Sequence, residues 1–213
     1  MSIVIDLQHE ALSKEDNLLH LLRKAYLVAR KLKLKEFEIW ANHEMNGYTI
    51  DDVVPRYRVY HGEIRAYNPY HGWIPVVFEK SSALTQHEAR EPISSLIDVY
   101  NQSEGRSARV LFPDDLNTLL SKSAPFPTKY CLEISSNMLF STFESIRNTI
   151  LDWAITLEEN NIMGEGLSFT QDEIEIAAKK SGSITNYISN FYGDVNNSQL
   201  QQGTTGSQQN QDF

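Results

Sequence analysis

Six histidines and a single cysteine carry most of the scope for chemistry in this 213-residue chain. His61, Glu63 and His71 come nearest to a pattern. They flank an expected hairpin turn, and two histidines with one carboxylate can meet across paired strands. They are therefore the candidate catalytic residues of a hydrolase or nuclease. The competing reading gives these positions to turn hydrogen bonding, with Tyr60, Tyr67, Tyr70 and Trp73 packing around them. His9-Glu10, His43-Glu44 and His87-Glu88 are His-Glu pairs, but none extends to His-Glu-x-x-His. No metal ligand is assigned and no cofactor is expected.

Other nucleophile and phosphate signatures are missing. No Gly-x-Ser-x-Gly elbow occurs. Cys131 lies between Tyr130 and Leu132, a strand-like apolar context in which a buried inert thiol is expected. Gly164-Glu165-Gly166 lacks the spacing of a phosphate loop and suits a helix end. Asp51-Asp52 and Asp114-Asp115 have no neighbours to split their pKa values, so they read as solvated or capping groups.

One basic face stands out. At about 100° per residue, Arg23, Lys24, Arg30 and Lys31 share a helix side opposite an apolar stripe. Such a face could touch phosphates and act as a sensor of nucleic acid or a phage component. The bland reading is a solvated outer surface. Only Tyr26 interleaves, so there is no stacking platform.

The last stretch differs in kind. From Ser181 to Phe213 there is no Lys or Arg, and the only acids are Asp194 and Asp212. Asn, Gln, Ser, Thr and Gly dominate. Low charge, no Pro and side chains able to ladder are the ingredients of stacked β assembly. Val195, Gln199, Leu200, Gln201, Gln202 and Gly203 are the candidate self-association residues. A lone chain has too few apolar groups here to offset the ordering cost, so the segment is expected to be disordered or to stack only on assembly.

These groups need elements to hold them. Ser13 with Asp16 resembles a capping signal for a helix over 15–33, burying Leu18, Leu21, Leu22, Ala25, Ala29 and Leu32. A second helix over 35–46 carries apolar Phe37, Ile39 and Trp40 and stops at Asn46-Gly47. Tyr57–Tyr67 reads as a strand bending at Gly62. Asn68–Gly72 is a turn and Ile74–Phe78 a returning strand, which Pro75 places at an edge. Helices are expected over 92–103 and 113–122, and strands near Ala108–Phe112 and Lys129–Ile134. From Ser136 a long helix repeats Leu139, Phe143, Ile146, Ile150, Trp153 and Leu157 like a heptad seam. Phe140, Leu151, Ala154 and Ile155 flank it, so it reads as buried nearly all round, with an oligomer seam as the alternative. The fold class is α+β: N-terminal helices, a small central antiparallel β region with a hairpin, and a long buried C-terminal helix. Residues 1–180 form the globular domain and 181–213 the polar tail.

Charge narrows the partners. The formal net charge is -9, so the chain as a whole does not attract nucleic acid or anionic lipid. The acid is uneven: residues 1–50 carry seven groups of each sign, and most of the excess lies in 51–180. The N-terminus lacks a basic region before Ile3-Val4-Ile5, and no apolar run approaches the roughly 18 residues that span a bilayer. With a lone thiol, a cytoplasmic protein without a membrane partner is expected.

Four segments together resemble a known family. They are Leu21–Leu32 with Phe37, Trp40 and Asn46-Gly47-Tyr48; Arg56–Val76, the most distinctive; Leu111–Leu116; and Arg147–Ala154 with Gly164–Phe169 and Asp172. Over roughly residues 1–180 the chain is similar to the AbiTii family of bacterial abortive-infection proteins. The resemblance implies antiphage defence, in which the infected cell stops supporting phage growth, and it carries no catalytic residues with it. Gly193–Thr204 also resembles bacterial amyloid-type signalling motifs. The first expectation is thus a defence protein that forms a homo-oligomer through its tail, with a phage-derived trigger or a second defence protein as further partners. The hydrolase and the nucleic-acid sensor remain the alternatives.

Overall fold

The computed structural model describes residues 2–13, 17–78, 82–122 and 127–189. Helix α1 (Ile3–Leu12) was not expected from the pattern of the first third. Ile3, Val4, Leu7 and Ala11 bury one face of it, and the Ser2 hydroxyl caps its start. α2 (Leu18–Lys31) buries five of the six expected residues and Val28 as well, and the sixth, Leu32, is its buried C-cap. Its cap is Asn17, whose Oδ1 accepts from the Leu19 and His20 N–H groups. The Ser13–Asp16 signal therefore does not start α2. Ser13 instead closes α1, and Asp16 lies outside the described residues. α3 (Lys35–Asn46) buries Phe37, Trp40 and Ala41 but leaves Ile39 exposed. It ends at Gly47, whose φ is +92°. A Cβ there would also meet the Arg90 carbonyl at 2.7 Å.

A short 3-10 turn (Arg56–Arg58) leads into β1 (Val59–Asn68), which forms a hairpin with β2 (Gly72–Pro75). β3 (Gln86–Glu88) pairs with the start of β1. Helix α4 (Ile93–Gln102) leads to β4 (Ser107–Leu111), and α5 (Asp114–Ser121) separates β4 from β5 (Tyr130–Ser135). The antiparallel sheet runs β2-β1-β5-β4, so Pro75 does sit on an edge strand. At Gly62 β1 and β5 lie close together: a Cβ would lie 2.3 Å from the Glu133 carbonyl oxygen. Tyr60, Ile64, Ala66, Leu132 and Ile134 bury the inner face.

α6 (Ser136–Glu159) is the central helix. Leu139, Ile146, Ile150, Trp153 and Leu157 are buried and Phe143 is half-buried, so the heptad-like seam is core. The flanking line is mixed: Ala154 is buried and Leu151 half-buried, while Phe140 and Ile155 are exposed. The helix stops at Glu159, ahead of Gly164, and Asn161 takes the left-handed conformation. α7 (Gln171–Lys179) starts with a Thr170–Glu173 capping box. α8 (Ser181–Ser189) lies beyond the change of composition near residue 180, yet it packs on α6 and α3 and buries Ile184 and Ile188. Among the described residues no helix is long and apolar enough to cross a membrane.

Candidate functional site

The hairpin places His61, Glu63 and His71 in different surroundings. His61 and Glu63 lie on the outward face of β1, and both are exposed. His61 pairs with Gln86, seven residues before Asn68, which pairs with Gly72 beside His71. At about 3.3 Å per residue, that separates the two histidines by about 23 Å. Glu63 contacts Arg65 at 3.3 Å. The His71 and Tyr70 N–H groups donate to Asn68 Oδ1, which closes the turn. Tyr67 and Trp73 meet edge to face at 5.5 Å, while Tyr60 faces the core. The geometry thus does not bring the two histidines to one site. Among the described residues no group of three or more His, Cys, Asp or Glu side chains could hold a metal ion.

The basic face is partly used by the protein itself. Lys24 pairs with Glu10 of α1, and Lys31 donates to the Leu167 carbonyl. Arg30 donates to the Tyr26 hydroxyl at 3.1 Å and is exposed, as is Arg23. Two of the four cations thereby tie α2 to neighbouring segments. Cys131 is fully buried, and burial pushes its thiol pKa up. The candidate self-association residues 195 and 199–203 lie outside the described residues.

The strongest polar constellation was hidden in the sequence. Glu44 of α3 and Arg58 of the 3-10 turn are both fully buried. Arg58 Nη2 donates to Glu44 Oε2 at 2.6 Å, and Nε lies 3.1–3.2 Å from both carboxylate oxygens. Arg58 Nη1 donates to the Ala89 and Glu91 carbonyls at 2.9 and 2.8 Å. The Tyr48 and Tyr57 hydroxyls donate to Glu44 Oε1 at 2.7 and 2.8 Å, and Trp40 Nε1 donates to the Tyr57 oxygen at 2.8 Å. The Arg58 guanidinium also lies 5.0 Å from the Tyr48 ring centroid. Burial alone would lower the Arg58 pKa. The Glu44 charge and hydrogen bonds outweigh it and hold the guanidinium above its ordinary pKa. Tyr57 is pushed well above the usual tyrosine value, first by burial and then by the Glu44 charge.

The Glu44 and Arg58 side chains are fully buried, while Tyr57 keeps a partly exposed edge. The centre clamps α3, the entry to β1 and the 89–91 segment together. The only sequence hints were that Arg58 shares the inward parity of Tyr60 and that Glu44 follows His43.

The whole of this arrangement lies inside one family match. The AbiTii family model matches residues 2–182. The chain belongs to the AbiTii family. The match runs from the cap of α1 into the first turn of α8, and so takes in both the clamp and the sheet. It sets this AbiTii chain among abortive-infection proteins, whose general role is phage defence. No curated protein and no solved structure matches it.

Proposed function

We propose that this AbiTii protein acts in abortive infection by assembling copies of itself through the residues beyond α8. The observation that carries this reading is compositional. The segment that follows the folded body has no basic residue, two acids, no proline and a run of Gln and Asn able to ladder between chains. A packed helix supports it. α8 is held by Ile184 and Ile188, so the tail leaves from a fixed point on the body. Copies brought together would concentrate their bodies, and a phage-derived trigger would act by raising that association.

The test compares the full chain with one ending at Ser189. Light scattering should give a larger mass for the full chain, and only the full chain should reduce phage plaque numbers. Equal masses overturn the assembly role. The alternative hydrolase reading loses support from the separation of His61 and His71. The nucleic-acid reading loses support from the internal engagement of Lys24 and Lys31.

A further inference from the structure

We propose that Phe191–Asn196 of one copy adds to the open edge of β4 in a neighbouring copy, as a further antiparallel strand of its sheet.

The edge is the first observation. β4 ends the sheet, and no described strand pairs with its far side. Phe112 N–H donates to the Tyr130 carbonyl, and Ser136 N–H donates to the Arg106 carbonyl. The even-numbered residues of this stretch therefore turn their backbone toward β5. Ser107, Arg109 and Leu111 present theirs outward. Such a row of backbone donors and acceptors is a template for another strand. The inner side of the edge is apolar and incompletely filled. A hollow of about 190 Å³ between α4 and the sheet is lined by Leu96, Val99, Ala108, Val110 and Ile134. Val99 is 40% exposed there.

The side-chain pattern selects the occupant. β4 alternates inward Ala108 and Val110, followed by Phe112, with outward Arg109 and Leu111. Beyond α8 the chain reads Phe191-Tyr192-Gly193-Asp194-Val195-Asn196. Set antiparallel with Asp194 opposite Arg109, this segment places Val195 beside Ala108 and Phe191 beside Phe112 on the inner face. On the outer face Tyr192 comes beside Leu111 and Asn196 beside Ser107. A shift by one residue would turn Phe191 and Val195 to the wrong face. A shift by two takes Asp194 away from Arg109. A parallel strand with the same charge pair would set Phe191 beside the exposed Arg106.

Charge agrees with this register. Glu133 is shared by Arg65 and Arg109. Arg109 donates to it through Nε at 3.2 Å, and its Nη groups donate to no described residue. Asp194 is one of two acids after Lys180.

Chain length makes the donor a second copy. α6 is about 36 Å long at 1.5 Å per residue. Its first residue, Ser136, adjoins the start of β4, whereas Asn160 beyond its other end accepts from Lys180 Nζ at 2.6 Å. α8 advances about 14 Å from there, and the two residues from Ser189 to Phe191 add about 7 Å. Both together fall short of the sheet of the same copy. Donation from copy to copy gives an open, head-to-tail contact. It rests on the tail-driven assembly proposed above and gives the tail a landing place on the next body.

The test mixes two full-length variants, Ser107→Cys and Asn196→Cys. In the stated register these positions lie about 5.5 Å apart between Cα atoms, within disulfide reach. Cys131 is buried and stays in place. Under mild oxidation with glutathione disulfide, the 107–196 link should form at least tenfold faster than 107–107 or 196–196 links, as counted by peptide mass spectrometry. Leu111→Pro in the Ser107→Cys chain removes an outward N–H and spares the β5 ladder, so it should slow the link at least tenfold. Asp194→Lys in the Asn196→Cys chain leaves the body untouched and should slow it about fivefold. An unchanged rate in both variants overturns the pairing. An excess of 196–196 links overturns strand donation while tail assembly stands, because it reports tails stacked on tails. A monomeric mass by light scattering with no link overturns both. A chain carrying both cysteines that closes on itself without joining copies overturns donation between copies.

Discussion

Glu44 and Arg58 are fourteen residues apart and close a fully buried, doubly bonded ion pair at the junction of α3 and β1. Each charge is solvated only by the other and by neighbouring protein groups. Removing one partner strands the other in a low-dielectric interior. Arg58→Met is therefore expected to cost about 3–5 kcal/mol of folding stability. Glu44→Leu with Arg58→Met should cost clearly less than the sum of the two single changes, because no lone charge remains. Urea unfolding midpoints at constant slope measure this. Strict additivity would show that the pair is not coupled.

The same centre sets an alkaline limit. Tyr57 and Tyr60 titrate above 10.0 in the folded chain, both chiefly because burial disfavours the phenolate. A raised folded pKa means that the folded state keeps protons which the unfolded chain releases near 10. The contribution is full below the unfolded value and is lost as pH rises through the folded values. Stability should fall above about pH 10, and Tyr57→Phe should flatten that fall. Equilibrium unfolding across this range decides it, and an identical slope in Tyr57→Phe would remove Tyr57 as a cause.

Glu173 sets an acid limit by the opposite sign. Burial pushes its pKa up, but the Gly164, Thr170 and Met163 N–H groups and the Thr170 hydroxyl outweigh it and hold the carboxylate below 4.5. One oxygen accepts from Met163 and Gly164 at 2.8 Å each, the other from Thr170 at 2.7 Å. Its contribution is present above the unfolded value and disappears as pH falls through the folded one. Glu173→Gln should lose stability at neutral pH and show a shallower acid transition. The melting temperature from pH 7 down to about pH 3 checks both.

Gly62 tests the close approach of β1 and β5. Any Cβ there falls 2.3 Å from the Glu133 carbonyl oxygen and 3.1 Å from Ile134 Cγ2. Backbone, not a flexible side-chain tip, would have to yield. Gly62→Ala should cost about 1–3 kcal/mol by overpacking. Gly105→Ala meets nothing within 4 Å but sits at φ +74°, so its smaller cost would come from backbone strain alone. Chemical denaturation of both variants ranks them.

Periodicity made much of this fold legible. The α2 stripe, the Asn46-Gly47 stop, the hairpin with Pro75 on its edge strand and the α6 seam all follow from local spacing, and all are present. α1 shows the same helical spacing in Ile3, Leu7 and Ala11 behind the Ser2 cap. The Glu44–Arg58 clamp had no such period, since charged residues read as exposed until tertiary structure supplies a partner. His61 and His71 looked adjacent because the turn lies between them. β1 runs well past the hairpin register to meet β3 and β5, and this carries His61 away. A double His61→Ala, His71→Ala chain is accordingly expected to keep its melting temperature and its protection against phage, as read by plaque counts.

The end of the folded body also departs from the compositional break. Lys179-Lys180 is the last charged pair before the polar tail, and a boundary there looks natural in the sequence. Ile184 is nevertheless fully buried and Ile188 nearly so, against α6 and α3. Burial of one such side chain contributes about 1.5–3 kcal/mol, so a chain ending at Lys180 should lose about 3–6 kcal/mol. A chain ending at Ser189 keeps both contacts and should melt with the full-length protein. The pair of truncations separates two effects that one deletion would merge. A loss of phage protection in the chain ending at Ser189, with its melting temperature intact, belongs to the tail. A loss seen only in the chain ending at Lys180, together with a lower melting temperature, belongs to α8 and the core it completes.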